Sequence, residues 1–191
     1  MSVIIIGNGP SVLDKELGKK IDSFDTVVRL NNYTTKGYEK YIGSKTAIWG
    51  RSDAKDIVNR DISSFQKVIV FIPPQNYTKE KRLKGIRNLL FQENVELCDI
   101  EISMKSKKLL KCSRGEWPST GMLAVNYFIL NRYKDIYIHG FDCFSADKKL
   151  RHYYDNKISR MKGHNPKKEK LFLMKMKNEA KIIKVLYGKI R

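Results

Sequence analysis

Two histidines, two tyrosines and two acids crowd one polar stretch of the chain: His152-Tyr153-Tyr154-Asp155, then His164, then Glu169 after four intervening residues. Imidazole takes and gives protons near neutral pH, so two of the chain's three histidines in one segment form a candidate acid–base pair. Surface histidines among lysines would look the same in isolation, and the rest of the chain has to decide between the readings. Two further clusters can do chemistry. Gly7-Asn8-Gly9-Pro10-Ser11 closes an apolar run, and a glycine turn that enters a helix offers backbone N–H groups and a dipole to an anion such as a nucleotide phosphate. Ser119-Thr120-Gly121 after Pro118 gives two hydroxyls and a closely approachable backbone; it also reads as an ordinary serine N-cap before a buried helix.

These clusters need elements to position them. Val3 to Ile6 reads as a buried parallel strand, followed by a helix that Ser11 and Asp14 cap, with Val12, Leu13 and Leu17 as its apolar stripe up to a break at Gly18. Strands are expected over Phe24 to Leu30, Thr46 to Trp49, Lys67 to Ile72, Asn94 to Ile100 and Asp135 to His139, with a helix over Met122 to Leu130. From Lys167 to Tyr187 the positions Leu171, Phe172, Met174, Ala180, Ile183 and Leu186 predict one basic amphipathic helix. Strands alternating with helices argue for an α/β fold with a mainly parallel sheet. Such sheets bind ligands beyond the carboxyl ends of their strands, where Asn8, Asn31, Ser119 and the segment after Gly140 all fall.

At 191 residues and 41% hydrophobic composition, one domain covering residues 1–191 is the expectation. The 38 basic and 20 acidic residues leave a net charge of +18, which calls for an anionic partner or surface. The excess is densest after Phe144, from Lys148, Lys149 and Arg151 through Lys157, Arg160 and Lys162 to Lys189 and Arg191. A solvated lysine-rich surface is the plainer alternative. Cys98, Cys112 and Cys143 have no C-x-x-C spacing and read as reduced thiols in a cytoplasmic protein, without a zinc or disulfide framework. No apolar run approaches the roughly 18 residues a membrane span needs, so any membrane contact would be peripheral. The glycine turn is an incomplete dinucleotide fingerprint, with Val12 at the third glycine, which argues against NAD or S-adenosylmethionine. The nearest approach to a metal-binding D-x-D pair, Asp99-Ile100-Glu101, is expected to lie within a strand and to be structural.

In order along the chain, these clusters resemble the sialylmotifs of glycosyltransferase family 29. Gly7-Asn8-Gly9-Pro10-Ser11, Ile21-Asp22-Ser23-Phe24-Asp25, Val28-Arg29-Leu30-Asn31 and Gly43-Ser44-Lys45-Thr46 are similar to the large motif. Pro118-Ser119-Thr120-Gly121-Met122-Leu123 through Ile138-His139-Gly140-Phe141-Asp142 resembles the small motif. His152-Tyr153-Tyr154-Asp155 resembles the third, and His164 with Glu169 the very small motif. The glycine turn also resembles bacterial family 42 sialyltransferases.

That resemblance implies a single Rossmann-like α/β domain of GT-A-like sialyltransferase type. It implies an inverting, metal-independent transfer of a sialic acid from CMP-sialic acid to a glycan or glycolipid hydroxyl, with no cofactor. His164 would be the general base and His152 would stabilise the departing phosphate, with Tyr153 or Tyr154 assisting. Gly7, Asn8, Gly9, Asn31, Ser119, Thr120 and Gly121 would hold the nucleotide and donor. Glu169 would orient the histidine or the helix that carries it, and Asp142 would support the site. Animal members have a membrane anchor and a disulfide between the large and small motifs; here Val3 or Ile4 stands near the place of the first cysteine, which fits a cytoplasmic bacterial enzyme of surface polysaccharide or lipooligosaccharide synthesis. CMP-Kdo, a chemically similar donor, is the alternative within this reading. A non-catalytic basic nucleotide- or RNA-binding module is the alternative from another class, although nucleic acid is not the expected partner, since no RNA motif with interleaved aromatics occurs. The basic C-terminal helix would hold the enzyme against an anionic membrane face.

Overall fold

Val3 to Ile6 form the buried centre of a seven-stranded sheet in the computed structural model, which describes residues 1–143, 152–155, 163–180, 182–188 and 190. The strands are β1 (Ser2–Ile6), β2 (Thr26–Leu30), β3 (Ile48–Arg51), β4 (Lys67–Val70), β5 (Val95–Leu97), β6 (Asp135–His139) and β7 (Ile183–Val185). Their spatial order is β5-β4-β3-β2-β1-β6-β7, and every pairing is parallel. The chain therefore runs outward from β1 to β5 on one side and returns to place β6 on the other side of β1. A crevice opens where the order reverses, at the carboxyl ends of β1 and β6.

A sheet of this kind needs cover on both faces, and the alternation within β1 and β2 shows how it gets it. Ile5 and Val28 face a cluster built with Phe71, Met122, Phe128 and Phe172, which draws in α6 (Thr120–Leu130) and α7 (Pro166–Asn178). Ile4, Ile6 and Val27 face the opposite cluster with Val12, Ile21 and Ile42, from the 3-10 turn Pro10–Leu13, α1 (Gly18–Asp22) and α2 (Glu39–Ile42). The remaining helices are α3 (Glu80–Lys84), α4 (Arg87–Leu90) and α5 (Ile100–Leu109).

Four local expectations need correction. The helix after the glycine turn is a single 3-10 turn, capped at Gly9 and not at Ser11; Gly18 does not break a helix but begins one, and it is glycine there that admits α2, since a Cβ would lie 2.0 Å from the Glu39 carbonyl. Asp99 is not within a strand. It caps α5, its carboxylate accepting the Glu101 N–H at 2.7 Å. The C-terminal helix stops at Asn178: Ile183 to Val185 form β7 on β6, the alternation of β-branched residues at 183 and 185 prevailing over an apparent helical continuation. The middle strands are also shorter or displaced, β2 beginning at Thr26, β3 running on to Arg51, and β4 and β5 stopping at Val70 and Leu97. The basic residues at 148, 149, 151, 157, 160, 162, 181, 189 and 191 lie outside the described residues. Among the described residues no helix is long and apolar enough to cross a membrane.

Candidate active site

The turn after β1 is tied to the turn after β6. Gly7 N–H donates to the His139 carbonyl at 2.8 Å and Gly9 N–H to the Gly140 carbonyl at 3.0 Å. Ser11 N–H donates to Asp142 Oδ2 at 2.9 Å, and the Ser11 hydroxyl donates to Asp142 Oδ1. Three amides of the glycine turn, those of Gly7, Gly9 and Ser11, are thus engaged with protein. The glycines serve close approach: a Cβ at Gly7 would sit 2.4 Å from the Gly140 carbonyl oxygen, and one at Gly9 2.6 Å from Asp142 Oδ2. Asp142, 6% exposed, acts as the clamp between the two turns.

What this clamp presents is Asn8. Its Nδ2 donates to the Leu30 carbonyl at 3.0 Å and its backbone carbonyl accepts the Tyr153 N–H at 3.0 Å, while Oδ1 is buried and finds no hydrogen-bond partner among the described residues. An orphaned buried acceptor is costly unless something donates to it. At the end of β2, Asn31 adopts a left-handed backbone, φ 50°, which asparagine tolerates better than most residues. Ser52 N–H donates to its Oδ1 at 3.0 Å, leaving Nδ2 as the group with which this side chain can meet a ligand.

The third wall is the start of α6. Ser119 caps it, its Oγ accepting the Met122 N–H at 3.3 Å, and Glu169 reaches across from α7 to take the Ser119 N–H at 2.8 Å and its hydroxyl at 2.9 Å. Burial pushes the Glu169 carboxyl up to about 7, against the pull of those two donors. Glu169 thus holds the helix N-terminus rather than reaching the His164 ring through any of these bonds. Thr120 and Gly121 follow in the first turn, where unpaired N–H groups and the dipole favour negative charge.

The histidines complete the site. His164 Nδ1 lies 2.9 Å from the Trp117 carbonyl, an acceptor only, so a neutral ring donates from Nδ1 and carries its lone pair on Nε2. Trp117 is itself fixed, its N–H donating to the Gly163 carbonyl at 2.8 Å. His152 Nδ1 lies 3.1 Å from Asp155 Oδ2, and its ring stacks on Tyr154 at 5.0 Å between centroids. Tyr153 departs from expectation. It is 6% exposed, its hydroxyl is bonded to Thr34, and burial raises it to about 12. Neither Tyr153 nor Tyr154 lines the cavity; both pack on the apolar cluster beneath it, where ring burial outweighs contact with a ligand.

Asn8, Asn31, Thr120, Gly121, His152 and His164 all border one cavity of about 480 Å³, with Gly7, Gly9, Ser119, Glu169 and Asp142 around them. Ser52, Asp53, Asn76 and Trp117 border it too and were not singled out from sequence. Ser52 and Asp53 directly follow β3, so the strand-end rule that selects Asn8 and Asn31 would have found them had β3 been read to its true end at Arg51. Among the described residues no three His, Cys, Asp or Glu side chains gather in a way that could hold a metal ion.

The family model for glycosyltransferase family 29 (sialyltransferase) matches residues 2–97 and 58–181. The human type 2 lactosamine α-2,3-sialyltransferase is 25% identical over 201 residues, 89% of this chain and 60% of that protein. The human CMP-N-acetylneuraminate-β-1,4-galactoside α-2,3-sialyltransferase is 53% identical over 45 residues, 24% of this chain and 12% of that protein. The chain thus spans less than two thirds of the length of these relatives. A mammalian sialyltransferase crystal structure superposes with a TM-score of 0.78 at 19% identity, covering 98% of this chain and 69% of that one. CstII of Campylobacter jejuni, solved with the substrate analogue CMP-3FNeuAc, gives 0.64 at 16% identity, covering 97% and 81%. With the family model matching across both halves of a fold already seen in solved sialyltransferases, the chain belongs to glycosyltransferase family 29.

Proposed function

We propose that this protein transfers a sialic acid from CMP-sialic acid to a hydroxyl of a glycan acceptor, with inversion at the anomeric carbon and without a metal ion. The observation that carries the reading is that His152 and His164 border the same cavity as Asn8, Asn31 and the N-terminus of α6. In this reaction His164 Nε2 takes the proton of the acceptor hydroxyl as its oxygen bonds to the anomeric carbon. The bond from that carbon to the phosphate oxygen breaks, and CMP leaves with the electron pair. His152, held by Asp155, and the positive end of α6 offset the charge that gathers on the phosphate. The Trp117 carbonyl keeps the base in its useful tautomer, and Glu169 keeps the helix end in place through Ser119. Asn8 Oδ1, an acceptor in want of a donor, suits an N–H or O–H of the nucleoside rather than a phosphate oxygen.

The test is calorimetric titration of the protein with CMP, UMP, GMP and S-adenosylmethionine in EDTA, followed by transfer assays with CMP-sialic acid and CMP-Kdo on a β-galactoside. Selective CMP binding and sialyl transfer in EDTA are expected. Equal affinity for all four ligands would remove the proposal, and transfer from CMP-Kdo alone would reassign the donor.

A further inference from the structure

Beside the donor cavity lies a second, wider one of about 900 Å³, and the two share Asp53, Ala54, Lys79 and Arg82 as a common wall. An acceptor hydroxyl that reaches His164 needs a place for the rest of its glycan, and this adjoining cavity offers one. Its lining has a clear chemical character. Arg51, Lys55, Lys79, Lys81 and Arg82 face it, opposed only by Asp53 and Glu80. Asp53 is committed to one of them: its side chain is 7% exposed, accepts Asn76 Nδ2 at 3.0 Å and pairs with Arg82 Nε at 3.8 Å, so it offsets Arg82 and not the lysines. Among the described residues no ion pair joins Lys55, Lys79 or Lys81 to a carboxylate. Arg51 is braced rather than paired, its guanidinium lying 5.2 Å over the Trp49 ring and its Nε donating to the Ser52 carbonyl. Ile57, Ile62, Ile86 and Leu89 supply apolar surface in the same lining, suited to the C–H faces of sugar rings. A concave wall with an excess of positive charge concentrates its field on whatever enters.

We infer that this groove is an acceptor subsite for a glycan that carries an anionic group, a carboxylate or a phosphate, on the part remote from the reacting hydroxyl. This deepens the function proposed above and rests on it. The groove selects the acceptor by charge, and the donor cavity remains responsible for CMP.

The experiment is binding of three matched galactosides to the CMP-loaded protein: lactose, lactobionate and lactose 1-phosphate. All three present the same terminal galactose, and the last two carry an anion at the far end. Both anionic compounds are expected to bind about tenfold more tightly than lactose at low salt, with the advantage shrinking as salt screens it. Preference for only one of them would assign the group as carboxylate or as phosphate. The double variant Lys55→Ala, Lys81→Ala changes exposed residues that line the groove and not the donor cavity. In it the ratio of the anionic to the neutral affinity is expected to fall at least about threefold, in keeping with the removal of two charges from a partly screened wall. Equal affinities in the wild type, or a ratio unchanged in the variant, would overturn the inference. Loss is attributable by the CMP titration itself: no CMP binding brings down the proposed function and the subsite with it, whereas CMP binding without anionic preference brings down the subsite alone.

Discussion

Glu169 grips Ser119 with both oxygens, Oε1 on the backbone N–H at 2.8 Å and Oε2 on the hydroxyl at 2.9 Å, so that α7 holds the N-terminal end of α6. The carboxyl is 3% exposed as a residue and is raised from its ordinary 4.5 to about 7. Between those values the folded protein keeps a proton that the unfolded chain has released, so this group's contribution favours the fold at low pH and is lost as pH rises to about 7.

Glu169→Gln removes that titration. Between pH 5 and pH 8 the variant is expected to gain about 2 to 3 kcal/mol relative to the wild type, read by denaturant unfolding at each pH. An offset between the two proteins that stays constant with pH would show that Glu169 does not titrate in this range. Ser119→Ala should cost about 1 to 2 kcal/mol at either pH, since it removes the α6 cap and strands Glu169 Oε2.

Gly9 is the second test of the architecture. A Cβ there meets Asp142 Oδ2 at 2.6 Å and the Gly140 carbonyl at 2.7 Å, and Asp142 cannot swing away without giving up both of its bonds to Ser11. Gly9→Ala is expected to lower Tm by roughly 3 to 10 °C, from an overpacking cost of about 1 to 3 kcal/mol. Gly85→Ala is the control. Its Cβ would find nothing nearer than the Arg82 carbonyl at 3.4 Å, its φ is −68°, and the change should be neutral or stabilise slightly. Similar Tm values for the two variants would mean that the β1 and β6 turns are not locked together as described.

The difference between Gly9 and Gly85 also marks where sequence reasoning stops. The run Val3 to Ile6, the turn that follows it and the strand Asp135 to His139 are legible because each is a local pattern: continuous apolar residues ended by glycine. The convergence of Asn8, Asn31 and Ser119 is legible for a topological reason, since each sits at a strand end or a helix start on one side of a parallel sheet. The partners of those residues are not legible. Ser11 meets Asp142 across 131 positions and Ser119 meets Glu169 across 50, and no periodicity reports a contact of that kind. The same blindness explains Tyr153, whose motif position pointed to the ligand while Thr34, 119 positions away, bonds its hydroxyl. It explains β7 as well, because an apolar run beside a helix looks like more helix until β6 is seen to need an edge partner.

His164 and Asn31 border the same cavity but owe their places to different things, which allows their roles to be separated. His164 is held by the Trp117 carbonyl, a bond that the base's absence would leave to water. His164→Ala should therefore keep CMP affinity within about twofold while transfer falls by about 10² to 10⁴, the usual range for a lost general base. Asn31 poses a harder question, because an alanine at φ 50° would strain the backbone and weaken CMP binding for that reason alone. Asn31→Gly avoids the strain, since glycine adopts this conformation freely, and deletes the amide together with the bond it accepts from the Ser52 N–H. If the amide binds the nucleotide, glycine and alanine variants should both lose CMP affinity, by about 1 kcal/mol or some fivefold for a hydrogen bond of ordinary strength. If the glycine variant binds CMP as the wild type does while alanine does not, Asn31 shapes the end of β2 and contacts nothing. Comparable loss of CMP affinity in His164→Ala and Asn31→Gly would instead put His164 in the nucleotide site and leave the reaction without an assigned base.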